Sequence, residues 1–196
     1  MISFDRMELI FTEGAEKMAI QIFILTKLME ENNYPYKLKK QIAELQPLET
    51  INGLTESKLY YHFESLAKQG FIEVKEIIKE EHRPDKQVFA ITEKGKEVLP
   101  KKIYKLFENA ETIGDMVIGL ANLKYVDRDK VIGILEKKVN GIKMTWDKMS
   151  KFESRHFIEP GQEVLADFIG DYANYRINSS IQYFERLIKH IQKEEI

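Results

Sequence analysis

The spacing of apolar residues changes at Gly70, and this change constrains the fold more than any other feature of the chain. Before it, residues 59–66 place apolar side chains at intervals of three and four, which is typical of an amphipathic helix. After it, residues 72–78 are rich in Ile and Val and predict a strand. A charged, turn-prone stretch over 79–86 leads into residues 87–91, which predict a return strand. The sequence therefore predicts a helix followed by a two-stranded hairpin.

Two further helices are predicted before this one. Met18–Glu31 and Tyr36–Leu45 carry apolar side chains at helical spacing, and Thr55 is a suitable N-cap for the third helix. Residues 1–14 are compatible with either an extra helix or an arm. Three helices closed by a hairpin form a winged helix-turn-helix.

The remainder of the chain is helical by pattern. We predict one helix over Ile103–Leu123, and a second that Asp127 caps and that extends to Phe157. Pro160 is tolerated as a first helical residue, so a last helix is predicted from Pro160 to Gln192.

The predicted fold class is mainly α with a small β-hairpin wing. The predicted domains are a winged helix-turn-helix over residues 1–100 and a helical dimerisation domain over residues 101–196. The last helix carries an apolar stripe that must be buried against another helix, in the same chain or in a second copy. We expect a homodimer.

Short segments in the first half of the chain carry a resemblance to a known family. They are Tyr34-Pro35-Tyr36-Lys37-Leu38 in the second helix, Leu59-Tyr60-Tyr61-His62-Phe63 with Leu66 in the third, then Gly70-Phe71-Ile72, and Phe89-Ala90-Ile91-Thr92-Glu93-Lys94-Gly95 after the wing. In this order and spacing they resemble the PadR family of bacterial transcriptional regulators. The resemblance implies a dimeric winged-helix repressor that binds operator DNA. Pro35, Lys58 and Tyr61 stand where the family commonly has Gly, Ser and Pro, so no operator sequence is carried over.

The third-helix motif also resembles the recognition helix of TetR-type repressors, which have a similar size. TetR-type chains continue into another helix after this motif. Here Gly70 is followed by two β-patterned segments, which favours the PadR family.

A winged helix that reads DNA needs side chains for base edges, for phosphates and for the flanking backbone near the wing. We expect Lys58 to donate to guanine or phosphate, and Tyr60 to pack beneath its helix with its hydroxyl reaching a phosphate. The full set of candidates is Tyr36, Lys37, Lys39 and Lys40 in the second helix, Thr55, Ser57, Lys58, Tyr60, Tyr61 and His62 at the third, and His82, Arg83 and Lys86 in the wing. The expected partner is double-stranded DNA carrying an inverted repeat.

The net charge of −2 gives no support to DNA binding by itself, because phosphate neutralisation dominates affinity for DNA. Any positive surface must therefore be local. The alternative is a winged-helix module that binds another protein.

Other classes of protein find little support. The chain has no cysteine, its four histidines are far apart, and its glycines are scattered singly, so we expect no catalysis, no cofactor and no metal. No apolar run is long enough for a membrane span, and the first residues lack the pattern of a signal peptide. A cytoplasmic protein is expected.

A small-molecule effector is a further hypothesis. Trp146 is the only tryptophan and lies on the apolar face of a predicted helix, where the core of the dimer or of the domain is the simpler interpretation. Several PadR-like regulators sense aromatic or drug-like ligands, and the resemblance implies the same option here. Tyr172, Tyr175 and Arg176 are the other candidates for such a pocket, with Arg176 holding an anionic group.

Overall fold

The computed structural model describes the backbone of residues 4–44, 56–79, 85–150 and 161–196, and the side chains of residue 14 and of 17–41, 57–79, 85–148 and 161–196. The chain forms two compact units, Met1–Val126 and Asp127–Ile196. In order, the elements are α1 (Phe4–Glu30), α2 (Pro35–Glu44), α3 (Glu56–Lys68), β1 (Ile72–Ile78), β2 (Lys86–Ile91), α4 (Glu93–Asn109), α5 (Ile113–Leu120), α6 (Arg128–Ser150) and α7 (Glu163–Gln192), with a 3-10 turn at Leu123–Tyr125.

Helix α1 is the centre of the first unit. Residues 19–26 are all buried, including the polar Gln21 and Thr26. A helix that is buried on every side needs partners on every side, and α1 packs against α3, α4, α5 and β2. Its backbone is helical from Phe4, so the ambiguous N-terminal segment extends the first helix.

The predicted wing is confirmed. Strands β1 and β2 pair antiparallel, from Ile72 opposite Ile91 to Ile78 opposite Lys86, with a bulge between Val74 and Glu76. The predicted fold class, mainly helical with a small hairpin, is therefore correct. A TetR-type chain would be helical here, so that alternative is wrong.

The hairpin is attached to the helices by its second strand. Asn33, between α1 and α2, forms a β-bridge with Phe89: each backbone N–H donates to the other residue's carbonyl, at 3.0 and 2.8 Å. The Phe89 ring lies 5.1 Å from the Phe63 ring of α3. The wing and α3 consequently share one core.

Gly70 and Thr92 connect the end of α3, the wing and the start of α4 through hydrogen bonds. Gly70 has φ +72°, the left-handed conformation that commonly ends helices. Thr92 caps α4 by accepting a hydrogen bond from the Gly95 N–H at 3.1 Å. Its hydroxyl also donates to the Gly70 carbonyl at 2.7 Å.

The predicted single helix over Ile103–Leu123 is wrong. Helix α4 ends at Asn109 and α5 begins at Ile113. The break is a capping box, in which the Thr112 hydroxyl accepts from the Asp115 N–H while the Asp115 carboxylate accepts from the Thr112 N–H. The sequence contains this Thr-x-x-Asp capping spacing, which indicates a helix start at this point and which the prediction of one continuous helix did not use.

The second unit consists of α6 packed against α7. Asp127 caps α6 as predicted, because its carboxylate accepts from the Lys130 N–H at 3.1 Å. Helix α7 begins at Glu163 rather than Pro160, and both Pro160 and Phe157 lie outside the described residues. The buried side chains shared by the two helices are Val131, Leu135 and Val139 of α6 and Phe184, Leu187, Ile188 and Ile191 of α7.

The two units divide after Val126, whereas the predicted domain boundary at residue 100 falls within α4. Helices α4 and α5 pack against α1, which joins them to the first unit. The assignment of separate roles to the two parts of the chain stays a prediction. None of the described helices has the length and hydropathy of a membrane span.

Candidate nucleic-acid interface

Helix α3 has a buried face and an exposed face. Leu59, Phe63 and Leu66 are buried in the core of the first unit. Ser57 and Lys58 are exposed at the start of the helix, as expected for residues that meet a DNA groove. Thr55, the predicted N-cap, lies outside the described residues.

The prediction for His62 is corrected. Its side chain is only 5% exposed, because it lies three residues after Leu59 and four before Leu66 and so shares their face. A buried imidazole cannot reach a base edge or a phosphate. His62 is therefore omitted from the interface.

Two tyrosines are exposed on α3. Tyr60 is 45% exposed and Tyr61 is 56% exposed. The prediction that Tyr60 packs beneath the helix is wrong, because the buried face is already occupied by Leu59 and Phe63. Both tyrosines present part of an aromatic ring to the surface of the first unit, which suits contact with a sugar–phosphate backbone.

The first turns of α2 carry the predicted lysine group. Lys40 Nζ lies 5.3 Å from the centre of the exposed Tyr36 ring, a cation–π arrangement. Lys37 Nζ donates to the Glu31 carboxylate at 2.6 Å, so part of its charge is neutralised within the chain. Lys39 is half-buried and Lys40 is exposed. Lys40 is therefore the most exposed lysine of this segment.

In the wing, only Lys86 of the three predicted residues lies within the described part of the chain. Its Nζ is 5.6 Å from the centre of the Tyr34 ring, at the junction of α1 and α2. His82 and Arg83 lie outside the described residues.

Sequence reasoning missed Lys17. Its Nζ lies 6.0 Å from the centre of the Tyr61 ring, so α1 contributes a cation at the side of α3. Lys17 in α1 and Tyr61 in α3 are separated along the chain by α2, and no local pattern connects them. The contact follows from the packing of α1 against α3.

The predicted effector residues lie in the second unit and are only partly brought together. The Arg176 guanidinium lies 5.8 Å from the centre of the Tyr172 ring. Tyr175 lines an open groove of about 520 Å³ with polar neighbours of α7 such as Asn178 and Gln182. Trp146, half-buried on α6, does not line that groove. Among the described residues, no group of three or more His, Asp or Glu side chains is placed to hold a metal ion.

Comparison with known proteins gives one family model and several solved structures that are similar to the chain. Residues 24–101 match the family model described as "Transcriptional regulator PadR-like family". Solved structures similar to the chain include Bacillus subtilis PadR in complex with operator DNA, at 17% identity, covering 87% of this chain and 98% of that one, with a TM-score of 0.40. Another is smu.1604c from Streptococcus mutans UA159, at 18% identity, covering 89% and 96%, with a TM-score of 0.38. A PadR family regulator from Clostridium difficile R20291 shares 22% identity, covering 44% and 84%, with a TM-score of 0.35. A search of curated proteins found no match.

Proposed function

Because residues 24–101 match the PadR-like family of transcriptional regulators, we propose that this protein is a homodimeric, sequence-specific DNA-binding repressor. The observation that carries the proposal is the composition of one surface of the winged helix. Ser57, Lys58, Tyr60 and Tyr61 are exposed on α3, α2 with its lysines packs against α3, and Lys86 begins β2. The cytoplasmic location expected from the sequence is part of this proposal.

Each part of this surface has a separate role. Helix α3 enters the major groove, where Lys58 donates to the acceptors of guanine or to a phosphate. Lys39 and Lys40 hold phosphates, and Lys86 follows the backbone beside the wing together with Arg83 and His82. Phosphate contacts position the protein, whereas base contacts supply the specificity.

The second unit supplies the dimer contact. In the first half of α7, Val164 is 84% exposed and Phe168 is 68% exposed, and Leu165, Ile169 and Tyr172 are also exposed. A monomer rarely leaves so many large apolar side chains in water on one helix. A second copy of the chain that packs its own α7 against this helix would bury them. Two wings in one dimer match two half-sites about 10 base pairs apart, or a multiple of that distance.

Repression is relieved by a small aromatic or hydrophobic effector that binds near Trp146, Tyr172, Tyr175 and Arg176. The Arg176 guanidinium on the Tyr172 ring is a suitable partner for an anionic group of such a ligand. The effector acts only if it binds one arrangement of the two wings better than the other.

Titration of labelled DNA tests the function. A duplex containing the region upstream of the protein's own gene is compared with a shuffled duplex of equal length, by fluorescence anisotropy at two salt concentrations. Preference for the upstream duplex at both salt concentrations supports the proposal. Equal binding of both duplexes, or binding of neither at low salt, contradicts it.

A protein-binding module is the second candidate. The net charge of −2 and the exposure of Val74, Ile77 and Ile78 on β1 favour it. Substitution of Val74 and Ile77 by Thr separates the two functions, because it removes an apolar docking surface and leaves the lysines of α2 and α3 in place. Unchanged DNA binding by this variant supports the repressor.

A further inference from the structure

Three lysines of α1 and α4 form a compact group, which we name the α1/α4 lysine cluster: Lys17, Lys102 and Lys105. Lys102 Nζ donates to the Gln21 side-chain carbonyl at 2.7 Å, and Gln21 is buried. Lys17 lies one turn before Gln21 on α1, and Lys105 lies one turn after Lys102 on α4. The buried glutamine thus fixes one ammonium group between two exposed ones.

This arrangement is electrostatically unfavourable in the isolated protein. Burial lowers the pKa of Lys102 below its usual value, and the neighbouring charges of Lys105 and Lys17 lower it further. In the described part of the chain, no carboxylate forms an ion pair with any of the three lysines. Other lysines on the same two helices are paired: Lys27 with Glu30 and Lys96 with Glu93.

The cluster borders the exposed face of α3. Lys17 Nζ lies 6.0 Å from the centre of the Tyr61 ring. At the other end, Lys102 Nζ lies 5.5 Å and Lys94 Nζ lies 5.2 Å from the centre of the Phe71 ring, which follows α3. Lysine ammonium groups therefore lie beside Tyr61 in α3 and beside Phe71, which follows α3.

We propose that the α1/α4 lysine cluster binds phosphates of the DNA backbone beside the groove that α3 enters. This inference rests on the proposed function. It adds contacts from α1 and α4 to those expected from α2, α3 and the wing. Ammonium groups that are held close together, with no carboxylate partner among the described residues, gain from a polyanion, which neutralises them and releases its own counterions. Two exposed lysines on either side of a fixed one suit a backbone that passes over the surface. The cluster also supplies the local positive charge that the chain lacks as a whole.

The test compares two double variants with the same loss of charge on the same two helices. Lys17→Gln with Lys105→Gln removes the two exposed members of the cluster and leaves the Lys102–Gln21 hydrogen bond. Lys27→Gln with Lys96→Gln is the control, because both of those lysines already pair with carboxylates. Binding to a labelled duplex of arbitrary sequence, about 30 base pairs long, is measured by anisotropy over a range of salt concentrations.

We expect the cluster variant to bind about tenfold more weakly at low salt. The slope of log affinity against log salt concentration should decrease by about two units per subunit, at roughly 0.9 for each phosphate contact. The control should keep the wild-type slope. The melting temperature of the cluster variant should equal or exceed that of the wild type, because like-charge repulsion has been removed.

Three results overturn the inference, and they differ in whether the proposed function is overturned with it. Binding by the wild type with an unchanged slope in the cluster variant overturns the lysine contacts and leaves the proposed function intact. The absence of any DNA binding by the wild type overturns both. A weaker affinity that accompanies a lower melting temperature assigns the lysines to stability of the fold, and that also overturns the inference.

Discussion

The backbone of Gly95 lies directly against the carbonyl group of Phe71: a Cβ added to Gly95 would stand 2.0 Å from the Phe71 oxygen and 2.7 Å from a side-chain carbon of Ile91. These residues belong to the first turn of α4, to the segment before β1 and to the end of β2. The Thr92 N–H donates to the same Phe71 oxygen at 3.0 Å. The first turn of α4 is therefore held against the base of the wing by a close approach that only glycine permits.

Gly95→Ala should lower the free energy of unfolding by about 1–3 kcal/mol, because the new methyl group meets backbone atoms that cannot move aside. Chemical denaturation monitored by circular dichroism measures the change. Gly133→Ala in α6 is the matched control, because a Cβ there meets nothing within 4 Å. It should stabilise the helix by about 0.5–1 kcal/mol. Equal changes in the free energy of unfolding for the two variants would show that a Cβ at Gly95 fits beside the Phe71 carbonyl, contrary to the structure.

Thr92→Val should cost about 1–2 kcal/mol of stability, because it removes the N-cap of α4 and the hydrogen bond to the Gly70 carbonyl while keeping the shape of the side chain. Thr92→Ser retains the hydroxyl and should cost less than half as much. Urea titrations of the three proteins provide the comparison. A loss for Ser as large as that for Val would assign the effect to packing of the methyl group.

Phe168→Glu in α7 should convert the proposed dimer into a monomer of 23.1 kDa, because a charge replaces an exposed apolar side chain in the proposed dimer contact. Sedimentation velocity at micromolar concentration measures the mass. Asn174→Glu, at a polar exposed position of the same helix, should leave the dimer intact. A wild type that sediments as a monomer contradicts the dimer.

The stability of the protein should depend on the titration of Lys102. The pKa of Lys102 is lowered in the folded state, so the fold binds this proton less tightly than the unfolded chain does. The resulting penalty is fully present below the lowered pKa, and it disappears as pH rises towards the usual value of 10.5. The wild type should therefore gain stability relative to Lys102→Gln as pH rises from neutral. A difference in melting temperature that stays constant with pH would contradict this.

The elements with strong local signals could be predicted from the sequence. Gly70 ends α3, the β-rich segments form the hairpin, and Thr92 and Asp127 cap their helices, because each depends on residues only a few positions apart. The burial of His62 was also readable, since its spacing from Leu59 and Leu66 places it on the apolar face. The prediction that His62 contacts DNA took no account of this spacing.

Contacts between distant segments could not be predicted in this way. The Lys17–Tyr61 and Lys102–Gln21 contacts each join different helices and depend on how those helices pack. The exposure of Tyr60 depends on which side of α3 its neighbours cover. Packing of this kind decides which lysines lie close to one another.

Binding of α3 to DNA is the central claim, and the double variant Lys58→Ala, Arg83→Ala tests it most directly. Anisotropy titrations compare this variant and the wild type on the upstream duplex and on its shuffled counterpart, and circular dichroism monitors their melting. We predict that the variant loses at least about tenfold in affinity for the upstream duplex, with a melting temperature within a degree or two of the wild type. Equal affinities of the two proteins for the upstream duplex would contradict the account.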